Sequence, residues 1–236
     1  MPSLRTQRTP AKLRNCCGLR LVARNCVDAF GGIPPRYSWL MSVISLVAGL
    51  GNPGHAYEMT RHNAGFWSLD ALSRRWGLSW RKESRFSADL AEARVSHQRV
   101  RFIRPTSFMN ESGNSVASIA DYFDIPPEQI LVMHDELDLL PGTVRVKRAG
   151  GHGGHNGLRD IFSKLGSRDF VRLRIGIGHP GHSDDVTDWV LSKPPKEELN
   201  MIDRGIEQAL DHFEALIAGN IETVMKSLHT PVGKAT

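Results

Sequence analysis

The chain has 236 residues, 40% hydrophobic and 23% charged, an ordinary globular composition with length for one sizeable core or two small ones. No run reaches the roughly 18–20 consecutive apolar residues that span a bilayer, 22 Gly and 13 Pro fall below the low-complexity range, and Cys16, Cys17 and Cys26 all lie within the first 30 residues, which excludes a disulfide framework or cysteine metal site in the body and points to a reducing compartment. The net charge of +5 is uneven: residues 1–40 carry seven Lys/Arg against Asp28 alone, which leaves 23 basic and 24 acidic residues over 41–236, so any polyanion site rests on where the cations cluster and not on the overall charge.

Residues 1–41 read as a disordered basic extension. Arg5, Arg8, Arg14, Arg20, Arg24 and Arg36 accompany a Gly31-Gly32-Ile33-Pro34-Pro35 break, and no apolar periodicity is sustained. An organelle transit segment, a basic RNA-binding arm and translation assigned from too far upstream compete here. The last is favoured because Met41 directly precedes the first convincing strand.

From 42 to 230 the pattern alternates as one domain, followed by a flexible tail over 231–236. Residues 43–48 form a short continuous apolar run, as in a strand buried on both faces. A helix is predicted over 64–76, with Phe66, Leu69, Leu72 and Trp76 at helical spacing and Gly77 as its stop. Strands follow at 86–93 and 99–104, then a helix over 111–123 ended by Ile125-Pro126-Pro127. The apolar strand Ile130-Leu131-Val132-Met133 runs on into His134-Asp135-Glu136. Strands at 143–148 and 171–177 flank a Gly-rich segment and a helix over 157–165. Leu199, Ile202, Ile206, Leu210, Phe213 and Ile217 mark one long amphipathic helix. The fold class is α/β: a single domain with a mixed, largely parallel twisted sheet flanked by helices.

Three motifs mislead. Gly49-Leu50-Gly51-Asn52-Pro53-Gly54 matches G-x-G-x-x-G after a strand, with Asp70 downstream. A dinucleotide site, however, needs the motif to open directly into a helix, and Pro53 removes an amide donor. Gly113-Asn114-Ser115-Val116-Ala117 nearly matches the serine-hydrolase elbow but sits in a helix already under way, so Ser115 is structural. His152 and His155 suggest a metal, but His152 sits between glycines, His155 follows one, and no matching Cys/His pair lies nearby.

The remaining polar residues punctuate the ends of apolar elements: Asn52 with Tyr57, Arg61-His62-Asn63, Met109-Asn110, His134-Asp135, and His155-Asn156. Open α/β sheets place ligands beyond the carboxyl ends of their strands. A histidine backed by a carboxylate can take a proton from water, and carboxamides can hold an oxyanion. With His62 as base and Asp135 as its orienter, these parts suit water attack on an ester. In Val144-Arg145-Val146-Lys147 and Arg172-Leu173-Arg174-Ile175 the cations alternate with apolar residues. Each strand then buries one face and aims charges about 6.6 Å apart from the other, close to the spacing of successive backbone phosphates.

Taken together the motifs resemble the bacterial-type peptidyl-tRNA hydrolases across essentially all of 43–228. The resemblance is carried by Gly49 to Gly54, Tyr57, Thr60-Arg61-His62-Asn63-Ala64-Gly65, Pro105 to Asn110 with Ser112-Gly113, His134 to Asp138, Gly150 to Gly157, and Arg172 to Gly181. It implies a monomeric, cofactor-free, metal-free cytoplasmic enzyme of phosphorylase/hydrolase-like fold that cleaves the ester between a peptide and the 3′-terminal ribose of tRNA. A transit segment at 1–40 would instead imply an organelle. The family pattern makes His62 the base and Asp135 its support. It has Asn52, Tyr57, Met109, Asn110, His155 and Asn156 shape the channel for peptide and CCA end, with Asn110 and Asn156 as the leading substrate-polarising amides. Lys147 and Arg174, with Arg145 beside them, match the clamp for the tRNA 5′-phosphate. Glu111 departs from the pattern, standing where relatives more often have an apolar residue, at the expected channel rim. The alternatives are a non-hydrolytic RNA-binding relative on the same fold and an NAD-linked oxidoreductase.

Overall fold

The computed structural model describes residues 43–229, so the readings made for 1–41 and 231–236 lie outside the described residues. Strand β1 (Leu46–Gly49) is buried along its whole length, as its unbroken apolar sequence requires, and it occupies the middle of the sheet. Around it lie β2 (Arg81–Glu83), β3 (Ala88–Val95), β4 (Gln98–Pro105), β5 (Ile130–Glu136), β6 (Val144–Arg148) and β7 (Val171–Gly176), in the order β2-β3-β4-β1-β5-β7-β6. The helices among the described residues are α1 (Ala64–Trp76), α2 (Ser112–Tyr122), α3 (Asn156–Leu165), α4 (Val186–Val190), α5 (Lys196–Leu210), α6 (Phe213–Ile217) and α7 (Ile221–His229).

The single mixed sheet agrees with the sequence, but "largely parallel" holds only for its centre. β4, β1, β5 and β7 run parallel, whereas β2, β3 and β6 join at the edges antiparallel. β3 and β4 are joined by Ser96-His97, whose φ angles of 48° and 69° make the two-residue hairpin turn that only an antiparallel pair accepts. β6 alternates apolar and charged residues, the pattern of a half-buried edge rather than a central strand.

Side-chain alternation along the strands divides the core. Val47, Phe102, Leu131, Met133, Leu173 and Ile175 face α1 and α4–α7, while Leu46, Ala48, Ile103, Ile130 and Val132 face α2 and α3. The long helix expected over 199–217 is two. α5 ends where His212 N–H reverts to the Ala209 carbonyl, an i→i−3 bond, and α6 resumes at Phe213. The tight turn preserves the phase of the stripe, so Leu210, Phe213, Leu216 and Ile217 all remain buried. The short charged β2 and the short helix α4 carry too little periodicity to predict, and α7 lies beyond the predicted elements.

Gly65 brings the start of α1 against the ends of β1 and β5. A β-carbon there would collide with the Leu50 backbone and the Met133 carbonyl. This close approach sets residues 61–63 directly beyond the carboxyl ends of the central strands.

Candidate active site

A cleft of about 860 Å³ opens at that end of the sheet. It gathers Asn52, Tyr57, His62, Met109, Asn110, Asp135, His155 and Asn156 from five separate stretches of chain. Asn52 follows β1, His62 lies in the 3₁₀ turn before α1, Met109 and Asn110 in the 3₁₀ turn after β4, Asp135 near the end of β5, and Asn156 starts α3.

His62 is held by both neighbours. The buried Arg61 guanidinium donates to Ser192 Oγ at 2.6 Å and Glu198 Oε2 at 2.8 Å, and lies 3.8 Å from the Trp189 ring centre. Asn63 exchanges two hydrogen bonds with the Asn52 backbone, at 2.8 and 3.0 Å. Of the cluster Arg61-His62-Asn63, then, the outer two residues anchor the turn and the middle one lines the cleft.

His62 Nδ1 donates to Asp135, 3.0 Å from Oδ1 and 2.9 Å from Oδ2. A carboxylate only accepts, so the proton sits on Nδ1 and Nε2 keeps its lone pair. Burial disfavours the imidazolium, but the Asp135 charge and its hydrogen bond outweigh burial and raise the His62 pKa above its ordinary 6.5. Burial likewise works against a charged Asp135. The two histidines facing it outweigh that and hold its carboxyl well below the usual range.

The second histidine is His155, whose Nε2 donates to Asp135 Oδ1 at 2.9 Å. Its Nδ1 accepts the Leu158 amide at 3.3 Å, which caps α3. Both ring nitrogens are thus engaged within the protein. Geometry therefore ties His155 to the carboxylate while it also lines the cleft. His134 lies beneath, its Nδ1 donating to the Asp135 carbonyl at 2.7 Å and its ring centre 5.0 Å from that of His155. Full burial, then the nearby His155, push the His134 pKa down to about 3, so it is neutral at physiological pH.

The carboxamides differ in preparation. Asn52 is buried and its Oδ1 accepts the Met109 amide at 2.8 Å, which leaves Nδ2 as its remaining donor. Asn156 Oδ1 accepts from Arg159 at 3.1 Å, with the same consequence. Asn110 is exposed within its 3₁₀ turn and does not cap α2. Phe108, which sequence reasoning passed over, also lines the cleft and meets Tyr57 edge to face at 6.0 Å. An aromatic directly before Met109-Asn110 was the available signal. Glu111 is exposed and does not line the cleft. Ser115 donates to the Ser87 carbonyl inside the fold, as a structural residue would.

Among the described residues one group of potential metal ligands stands out: Nδ1 of His62, Nε2 of His155 and an Asp135 oxygen lie within 4.8 Å of one another. Both nitrogens already donate protons to that carboxylate, so the set satisfies itself without a cation. His152, weighed from sequence, instead accepts the Gly154 amide.

The basic strands sit outside the cleft. Register places Arg145 opposite Arg174 and Lys147 opposite Arg172, all four on the face that bears α2 and α3. Their surroundings are unequal. Arg172 is buried and donates to the Gly150 and Gly151 carbonyls at 2.6 Å each, Arg174 donates to Glu136 at 2.7 Å, and Arg145 to the Leu228 carbonyl at 3.2 Å. Lys147 is exposed beside Gly150. Glu136 lines the cleft, so its bond to Arg174 joins the cationic face to the cleft rim.

A buried histidine oriented by a carboxylate, facing carboxamide donors at the carboxyl edge of an α/β sheet, is the equipment of a hydrolase. Residues 46–235 match the family model described as peptidyl-tRNA hydrolase. The peptidyl-tRNA hydrolase of Halorhodospira halophila is 52% identical over 184 residues, covering 78% of this chain and 95% of that protein. That of Histophilus somni is 50% identical over 190 residues, covering 80% and 98%. The crystal structure of the Acinetobacter baumannii peptidyl-tRNA hydrolase superposes with a TM-score of 0.77 at 44% identity, covering 80% of this chain and 95% of that one. The chain belongs to the peptidyl-tRNA hydrolase family.

Proposed function

We propose that this chain performs the family's reaction, hydrolysis of peptidyl-tRNA, with His62 as the base that activates water. The observation that carries the reading is the Asp135 carboxylate on His62 Nδ1, which leaves Nε2 as the ring's proton acceptor at the cleft. Water held there loses a proton to Nε2 as its oxygen attacks the ester carbonyl carbon. The oxyanion that forms is met by carboxamide N–H groups of Asn52, Asn110 and Asn156, a contribution of about 3 kcal/mol for a well-placed donor. Collapse breaks the bond to the ribose 3′-oxygen, which takes the proton back from the imidazolium and leaves as the alcohol. Tyr57 and Met109 shape the channel for the peptide and the CCA end, while His155 fixes the Asp135 carboxylate.

The chain acts on this route as a cytoplasmic monomer without a cofactor, its activity residing in 42–230. Purified protein incubated with an N-blocked aminoacyl-tRNA in ¹⁸O-water should release the blocked amino acid with the label in its carboxylate, equally with and without EDTA. Binding without turnover would favour the non-hydrolytic RNA-binding reading instead, and label in the ribose would place the cleavage at the other bond.

The 5′-phosphate of the tRNA is assigned to Lys147 and Arg174, with Arg145 adjacent. Because Lys147 is exposed and Arg174 is held by Glu136, Lys147→Ala is expected to weaken tRNA binding and lower the slope of log affinity against log salt by about one. Removing the 5′-phosphate from the tRNA should produce the same slope in the unaltered protein. An unchanged slope in Lys147→Ala would place the phosphate elsewhere.

A further inference from the structure

A second hollow of about 660 Å³ lies along α3, lined in part by His152, Arg159, Phe162, Ser167, Arg168 and Asp169. It is not an isolated dent. His152 lines both this hollow and the catalytic cleft, and Arg159, on its wall, donates to the cleft residue Asn156. Phe162 is part of its lining, with the Arg168 guanidinium carbon 5.4 Å and the Arg172 guanidinium carbon 5.1 Å from the ring centre. Arg172 in turn stands opposite Lys147 in the sheet. The hollow therefore adjoins the cleft through His152 and lies on the sheet face to which the strand cations point.

Its chemistry is that of a phosphodiester site. Two guanidiniums and two serine hydroxyls, those of Arg159, Arg168, Ser163 and Ser167, line it, and Asp169 is the one acid among its lining residues. From Arg159 to Gly166 the wall runs about 10 Å along the helix, room for one or two steps of a polynucleotide backbone. We propose that this hollow holds backbone phosphates of the tRNA, with Arg168 as the contact remote from the chemistry. The proposal rests on the hydrolase reading and extends it to a further RNA contact. Two parts of tRNA present this chemistry, the single-stranded 3′ end and the paired acceptor stem.

The test compares Arg168→Ala, Arg168→Lys and the unaltered full chain on three substrates bearing one N-blocked amino acid: full-length tRNA, an acceptor minihelix and a CCA trinucleotide. On full-length tRNA, Arg168→Ala is expected to raise KM several-fold with kcat unchanged. It should also lower the salt slope for uncharged tRNA by about one, and Arg168→Lys should restore that slope. A KM defect already present with the trinucleotide assigns the site to the 3′ end, whereas one that begins with the minihelix assigns it to the stem. Unchanged KM and slope would overturn the proposal, as would a fall in kcat and thermal stability at constant slope, which marks a structural role. Because the slope is read on uncharged tRNA, it stands apart from turnover: absence of hydrolysis in the unaltered protein would count against the hydrolase reading alone.

Discussion

His62→Asn is expected to lower kcat on an N-blocked aminoacyl-tRNA by about 10² to 10⁴ while KM changes little, because the loss falls on proton transfer and not on binding. Asparagine keeps an N–H donor for Asp135 but has no basic nitrogen to face water. His62→Ala should lose at least as much activity. In either variant Asp135 retains the hydrogen bond from His155 at 2.9 Å, and the turn retains the Arg61 and Asn63 anchors, whose bonds do not involve the imidazole. The fold should therefore survive, with the alanine variant losing stability of order 1–3 kcal/mol for one donor removed from a buried acceptor. Steady-state kinetics with thermal unfolding of the same samples tests this. Turnover within a few-fold of the unaltered protein would remove His62 from its role.

Much of this site is legible in the sequence, because its members stand where strands stop. Asn52, Asn110 and Asp135 each follow an apolar run, and three such runs lie side by side in the sheet as β1, β4 and β5. The helix over 64–76 was read correctly because its apolar spacing and the left-handed cap at Gly77, φ 62°, agree with each other. What stayed hidden depends on partners distant in sequence. His155 reads as one more polar residue in a Gly-rich loop until β5 brings Asp135 beside it. Arg172 reads as a cation aimed at solvent until the loop carbonyls of Gly150 and Gly151 take up its donors. The hairpin turn at Ser96-His97 lacks the Asn-Gly or Asp-Gly signature, so the antiparallel edge it creates could not be inferred from local composition. The long C-terminal helix was overestimated for the opposite reason: its periodicity survives a turn that the backbone does not.

Asp135→Asn should cost about as much activity as losing the base, by a different route. The carboxylate accepts from two ring N–H groups at once, His62 Nδ1 and His155 Nε2. A carboxamide offers one acceptor oxygen and turns an NH₂ toward whichever ring it does not accept from, so one imidazole must switch tautomer or lose its partner. If His62 moves its proton to Nε2, it presents a donor to the water it should deprotonate. The same exchange in a serine-protease triad costs about 10⁴ in kcat, and a loss of about 10³ to 10⁴ is expected here. The pH profile separates this from a collapse of the site. Activity requires neutral His62, so it is lost as pH falls through the His62 pKa, which Asp135 raises above 6.5 in the unaltered protein. Remove that charge and only burial remains, which acts in the opposite direction. The acid limb of kcat/KM should therefore have its midpoint above pH 6.5 in the unaltered chain and move below it in the residual activity of Asp135→Asn. A limb that stays in place would mean that the titrating base is not the imidazole held by Asp135.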